Sequence, residues 1–273
     1  MLSALSSTTK KHLPLLHEFL KRSLEQSKYP VPKMLLGTPV WTHSRLWNAK
    51  HTEPHVLRWI ADTLRPGDVF FDVGAHQGWM SMVAARRVGP KGSVAAFEPS
   101  PALVEFLSYH KRVNGFSQIS IIPKAVSNRD EAATAFHLVG DGNSFMNSLS
   151  GTDIKEVSPV DRSVIEVEAI TLDAYSQQSG LIPDLIKIDT EGSELWICEG
   201  ARQLLAQHHP VLILATHPLW LPKGQTIEDL FDLLNGLGYR VVDSVISRHR
   251  GTDFGDYLCV ADGVGSARPS SVS

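Results

Sequence analysis

The sequence predicts an α/β fold organised on a mainly parallel, twisted sheet, and three observations predict it. Short apolar runs recur at Val69–Val73, Ser93–Phe97, Asp184–Ile188 and Pro210–Thr216, the near-continuous hydrophobic pattern of strands buried on both faces. Segments of helical periodicity separate them, which is the βαβ rhythm of a parallel sheet. Between the first two runs, Asp72-Val73-Gly74-Ala75-His76-Gln77-Gly78 turns strand into helix, and Glu98 stands at the tip of the second strand. A glycine-bearing turn followed by an acid at the next strand end is half of a nucleotide-type binding unit.

Taken in order, residues 1–52 are expected to form an N-terminal helical extension or lid. Leu13, Leu16, Phe19, Leu20 and Leu24 make one apolar stripe over Lys10–Gln26, which Pro30 and Pro32 end. Residues 33–52 hold Trp41 and Trp47 without clear periodicity. A catalytic domain is expected over residues 53–264, opening on a helix that carries Val56, Trp59, Ile60 and Leu64 on one face and stops at Pro66-Gly67. Met80, Val83 and Ala84 continue the helix after Gly78, and Gly89-Pro90-Lys91-Gly92 ends it. Pro101–Val113 is the next helix and Ile119–Ile122 the third strand, with Lys124-Ala125-Val126-Ser127 at its carboxyl end.

Rhythm is then lost. Ala132–Val139 and Ser163–Ile170 read as strands around a polar loop, Gly140–Val160, in which Asn143, Ser144 and Asn147 are candidate acceptor contacts. The fourth core strand ends on Asp189, and Thr190-Glu191-Gly192-Ser193-Glu194 turns into one helix with Ser193 at its N-cap. The fifth strand ends on Thr216, before His217-Pro218. Thr226–Leu237 is amphipathic, Tyr239–Ile246 and Tyr257–Ala261 form an antiparallel closing pair, and residues 265–273 form a disordered tail.

Composition narrows the function classes. A length of 273 residues suits one α/β domain with extensions. A net charge of −3 offers no electrostatic grip on nucleic acid. Cys198 and Cys259 fall in or beside apolar segments, which fits buried thiols in a reducing compartment and a cytoplasmic protein. No apolar run reaches the length of a membrane span. His12, His17 and Glu18 interrupt the stretch where a signal peptide would lie.

The glycine spacing is G-x-x-x-G, not the G-x-G-x-x-G that brings backbone onto a pyrophosphate, so an NAD oxidoreductase is disfavoured. No G-K-[ST] follows, which excludes a P-loop. Glu98 lies twenty residues beyond Gly78, the spacing at which such folds place a carboxylate on ribose hydroxyls. A wide loop opening on Asp72 suits a ligand with an amino acid on its ribose. Asp72-x-Gly74…Gly78 with Glu98 resembles motifs I and II of class I S-adenosylmethionine-dependent methyltransferases. The run IKIDTEGSELWICEGA is narrower still and resembles the hallmark of the FkbM-type methyltransferases. Pro66-Gly67-Asp68, Phe97-Glu98-Pro99 and Leu172-Asp173 agree with it.

That resemblance implies a Rossmann-like, seven-stranded class I methyltransferase fold of order 3-2-1-4-5-7-6 with S-adenosylmethionine as cofactor. It also implies O-methylation of a small hydroxylated acceptor, a sugar or a lipid-like natural product. Glu98 would accept hydrogen bonds from the ribose, the amides around Gly74, Ala75, His76 and Gly78 would meet the methionyl carboxylate, and Asp72 would shape the loop and face the ammonium. Ala125 and Val126 would flank adenine. Ligands of open α/β sheets sit at the carboxyl ends of the strands, so Asp189 and His217 are the catalytic candidates. An imidazole of ordinary pKa, about 6.5, suits a general base, with Asp189 orienting it or taking the proton itself.

No metal centre is expected, because no Cys/His spacing supports zinc and Glu194 is accounted for by the start of a helix. Asp189, Glu191 and Glu194 are nonetheless oxygen donors of the kind a divalent ion takes. Trp41, Trp47, Trp79 and Trp220 are candidates for an apolar or sugar-stacking wall. In the fifth strand, Ala215-Thr216 replaces an acid common in relatives, which leaves open a cofactor-binding scaffold without catalysis. An N-methyltransferase acting on nucleic acid would show Asn/Asp-Pro-Pro-aromatic where Asp189-Thr190-Glu191-Gly192 stands.

Overall fold

The computed structural model describes residues 30–35, 37–43, 53–142, 144, 146–150, 161–249 and 251–262. An antiparallel hairpin of β1 (Pro30–Leu35) and β2 (Thr38–His43) leads, before α1 (Pro54–Thr63). Then come β3 (Val69–Val73), α2 (Trp79–Val88), β4 (Ser93–Phe97), α3 (Pro101–Asn114) and β5 (Ile119–Ile122). β6 (Ala125–Val126), β7 (Glu131–Val139) and β8 (Arg162–Ile170) make a separate three-stranded sheet. The chain returns through α4 (Leu172–Ser179), β9 (Leu185–Ile188), α5 (Glu194–Glu199), α6 (Arg202–His208) and β10 (Val211–Thr216). It closes with α7 (Ile227–Gly236), β11 (Tyr239–His249) and β12 (Thr252–Ala261).

The main sheet runs β11-β12-β10-β9-β3-β4-β5. Its five strands from β10 to β5 are parallel, and β12 lies antiparallel between β10 and β11. The chain winds outward from β3 to β5 and then starts again at β9, on the other side of β3. That reversal leaves a crevice at the carboxyl ends of β3 and β9, where the flanking connections depart to opposite sides. Helices cover both faces. Phe70, Met82, Val83, Leu107 and Ile60 fill one layer, and Phe71, Ile186, Ile197, Leu212 and Leu230 fill the other. Cys198 and Cys259 are free thiols buried in the second layer.

Local rules account for the helix ends. The Thr171 hydroxyl accepts the Ala174 amide at the start of α4, and Thr226 with Asp229 completes a capping box on α7. The single helix expected after Ser193 is instead two, α5 and α6. The Asp173 carboxylate accepts the amides of Gln203 and Leu204, at 3.0 and 2.8 Å, and so opens a new helix there. Ser193 occupies the N-cap of α5, but its hydroxyl makes no capping bond.

The N-terminal region also departs from expectation. Pro30 and Pro32 lie within a strand, which a two-stranded hairpin tolerates because each strand has an open edge. The hairpin is pinned to α3 by paired bonds between Trp41 and Asn114, both 2.7 Å, so the described part of the expected helical extension or lid is a β-clasp. The helix expected over Lys10–Gln26, together with Trp47, Asn143 and residues 265–273, lies outside the described residues. The closing hairpin is longer than expected, since β11 reaches His249 and β12 begins at Thr252. Among the described residues no helix is long and apolar enough to cross a membrane.

Candidate active site

A cavity of about 1000 Å³ opens at the carboxyl ends of β3, β4, β9 and β10. Its two ends differ in chemistry. Gly74, Ala75, His76, Glu98, Ala125 and Val126 line one, and Asp189, Glu191 and His217 line the other.

At the first end, β3 passes into the glycine loop and meets the tip of β9. Gly74 has φ +78°, and a Cβ there would collide with the Asp189 carbonyl oxygen, so only glycine lets the two strand ends touch. The loop is bonded within itself. The amides of Gly74 and Ala75 both donate to the Phe97 carbonyl, at 3.1 and 2.9 Å, and Gly78 donates to Ala75 at 2.8 Å. His76 donates its amide to Glu98 Oε2 at 2.9 Å. The four amides expected to meet a ligand carboxylate therefore already have partners within the protein.

Glu98 is 4% exposed, with the Ser100 amide on its other oxygen at 2.9 Å. Burial pushes its carboxyl up to about 7 against the two amide bonds and the Lys187 charge. Each oxygen keeps a second lone pair directed by this anchoring, which suits it to receive two neighbouring hydroxyls. Ala125 and Val126 reach the cavity as a short strand paired with Ala169 and Ile170.

Asp72 and Gly78 stand elsewhere. Asp72 is fully buried, accepts a hydrogen bond from the Ser81 hydroxyl, and does not line the cavity. Its partners are inside the fold, so it supports the loop from below and does not face a ligand. Gly78 packs against the Leu107 side chain of α3.

Between the two ends lies a residue that sequence reasoning passed over. Lys187, 4% exposed within the apolar strand Leu-Ile-Lys-Ile, donates from Nζ to the Gly74 carbonyl at 3.0 Å. The same ammonium lies 3.2 Å from Asp189 Oδ2 and 3.6 Å from Asp72 Oδ1. Burial works against its charge, but Asp189 and Asp72 outweigh this and hold it protonated above the ordinary lysine range. The available signal was a lysine alternating with buried aliphatics in a central strand.

The second end is built by the start of α5 and the turn after β10. His217 Nδ1 lies 2.8 Å from Glu194 Oε1, while Nε2 is 3.6 Å from both Asp189 Oδ1 and Glu191 Oε1. Trp220 and Phe254 hold the ring at centroid distances of 5.8 and 6.1 Å. Burial disfavours the imidazolium, yet Glu191 and Glu194 prevail and raise His217 to about 10. In these surroundings the ring carries its proton at neutral pH and is not the free imidazole base expected from the sequence. Burial lifts the Glu191 carboxyl to about 8, whereas Lys187 and His217 hold Asp189 below its ordinary value despite burial.

Glu194 likewise has more than a helix-start role, since its carboxylate joins His217 to the Gly192 amide at 3.1 Å. Gly192 itself has φ +103°, and a Cβ would strike the Trp220 carbonyl. Ligand atoms of Asp189, Glu191 and His217 lie within 4.8 Å of one another. Spacing along the chain concealed this constellation, because two donors follow β9 and the third follows β10. Trp79 and Trp220 line the cavity, as do Ser144 and Asn147, whereas Trp41 is exposed on the β-clasp. Asn147 spends its amide on Val139 and Gly142 at 2.9 and 2.7 Å, which fixes the loop.

The family model described as the methyltransferase FkbM domain matches residues 72–241. No curated protein matches the sequence. Among solved structures, methyltransferase FkbM from Methylobacillus flagellatus KT is similar at 17% identity, over 74% of this chain and 50% of that one, with a TM-score of 0.46. This chain thus spans half the length of that protein. TYW2 of M. jannaschii, solved with AdoMet, shows 12% identity over 86% and 88% of the two chains, TM-score 0.47. A precorrin-6y C5,15-methyltransferase from Geobacter metallireducens GS-15 shows 16% identity over 85% and 99%, TM-score 0.43. The matched stretch runs from Asp72 through Glu98, Asp189 and His217 into β11, and by it the chain belongs to the FkbM methyltransferase domain family.

Proposed function

We propose that this methyltransferase uses S-adenosylmethionine and transfers its methyl group to a hydroxyl oxygen of a small molecule, a sugar or a lipid-like natural product. One observation carries the reading. A single cavity joins a buried, amide-anchored carboxylate, Glu98, to a cluster of carboxylates and an imidazole at Asp189, Glu191 and His217. The residues around Glu98 fit the nucleoside half of the cofactor. Its volume of about 1000 Å³ accommodates a nucleoside and an amino acid with an acceptor beside them. Glu98 offers lone pairs for two ribose hydroxyls, and Ala125 and Val126 offer an apolar edge for a base.

The bound cofactor supplies a methyl group already activated on a sulfonium. What the chain must do is hold an oxygen nucleophile in line with it, exclude competing water and receive a proton. Positioning of this kind supplies about 7–11 kcal/mol when the geometry is near attack. Asp189 and Glu191 face the acceptor region with oxygens that draw a hydroxyl inward, and Trp79 and Trp220 give the wall an aromatic lining.

Calorimetric titration tests the proposal. S-adenosylmethionine is expected to bind in the micromolar range and NAD not at all. Glu98→Gln should weaken cofactor binding at least tenfold while leaving the unfolding midpoint near that of the parent. Unchanged affinity in that variant, or binding of NAD alone, would overturn the reading.

A further inference from the structure

The acceptor end holds more carboxyl groups than its basic residues answer. Asp72, Asp189, Glu191 and Glu194 share two basic side chains, Lys187 and His217. Glu191 is only 9% exposed, yet its Oε2 atom is buried without a hydrogen-bond partner, and so is Oε2 of Glu194. A buried carboxyl oxygen without a partner is unfavourable, charged or neutral, unless a donor or a cation meets it.

Geometry says what that something is. His217 Nε2 stands 3.6 Å from Asp189 Oδ1 and 3.6 Å from Glu191 Oε1, too far for hydrogen bonds. Two donors that each lie about 2.1 Å from one octahedral ion, at a right angle, are about 3.0 Å apart, so each pair need close by only about 0.6 Å to share one. The other ring nitrogen is already held, 2.8 Å from the buried Glu194 carboxylate. A metal-binding histidine characteristically has this support, with a carboxylate holding one ring nitrogen from behind so that the other, once it gives up its proton to solvent, faces the ion. Three donors from three positions, one with an oriented second nitrogen, are more than an acidic patch.

We infer that Asp189, Glu191 and His217 form a divalent-cation site at the acceptor end of the cavity, with Glu194 as the residue that positions His217. Two carboxylates and one imidazole suit Mn²⁺ or Mg²⁺, and three protein donors leave coordination positions open toward the cavity. The inference rests on the proposed function in one respect, that an open position takes the acceptor hydroxyl oxygen. An ion there draws electron density from that O–H bond and fixes the oxygen relative to the cofactor end.

The test uses Mn²⁺ as probe on the full chain freed of metal by a chelator. Electron paramagnetic resonance should show one equivalent of Mn²⁺ leaving the free six-line spectrum as protein is added, and Mg²⁺ should displace it. Glu194→Gln, which touches the ion only through His217, should weaken Mn²⁺ about 10–100-fold. Glu191→Gln should abolish saturable binding, with circular dichroism verifying that the variant is folded. Glu98→Gln, at the other end, should bind Mn²⁺ like the parent. Absence of saturable binding of either ion to the folded parent, or equal binding by Glu191→Gln, would overturn the site. The two readings fail separately. Cofactor binding without Mn²⁺ binding removes the cation site alone, and Mn²⁺ binding without cofactor binding removes the methyl-transfer assignment alone.

Discussion

Glu98 is a carboxyl group kept out of water by the same packing that makes it useful. Burial raises it from the ordinary 4.5 to about 7, and only its ionised form accepts from two hydroxyls at once. Cofactor affinity should therefore be constant above pH 7 and fall by up to about tenfold per unit below it, a trend that calorimetry at pH 6 and pH 8 resolves. In Glu98→Gln the pH dependence should disappear. Stability moves the other way. The unfolded carboxyl ionises first, so as pH climbs from about 4.5 to 7 the contribution of this group to folding declines, and above 7 it is constant. That Glu98, Asp189 and His217 line one cavity is legible in the sequence because strand ends in such folds border the crevice. The partners of His217 are not, since Glu191 and Glu194 reach it only after β9 and β10 lie side by side.

Elements divide in the same way. The strands Ser93–Phe97 and Ile119–Ile122 coincide with their sequence reading, the first because a strand buried on both faces is marked by an apolar run, the second although it is an edge strand interrupted by the exposed Ser120. The β-clasp at Pro30–His43 is not legible, because its prolines speak against a strand until an open edge is known to be present. The break between α5 and α6 depends on a capping carboxylate thirty residues upstream, beyond any local window. The turn from β9 into α5 shows how a run of small and charged residues acquires its shape. Gly192, at φ +103°, passes beneath the Trp220 carbonyl and sets Glu191 and Glu194 on the His217 ring. Gly192→Ala should cost about 1–3 kcal/mol in backbone strain. It should lower methyl transfer far more than cofactor affinity, as a turnover number and a titration on the same preparation would show.

In the whole molecule, the winding of the sheet decides which residues meet. Asp72 and Lys187 are more than a hundred residues apart in sequence, yet they face each other because β3 and β9 are adjacent and in register. Lys187 is the cation common to Asp72, Asp189 and the glycine loop. Lys187→Met leaves the buried Asp72 and the half-buried Asp189 without it and should lower stability by about 3 kcal/mol, read as a shift of the urea midpoint. A change confined to the surface would leave that midpoint where it is.

The ammonium of Lys187 has a consequence for the rigidity of the cavity floor. It donates to the glycine loop at one end and lies against a carboxylate at the other, so two segments far apart in sequence are tied to one point. A shift of either strand end is thereby felt at both ends of the cavity.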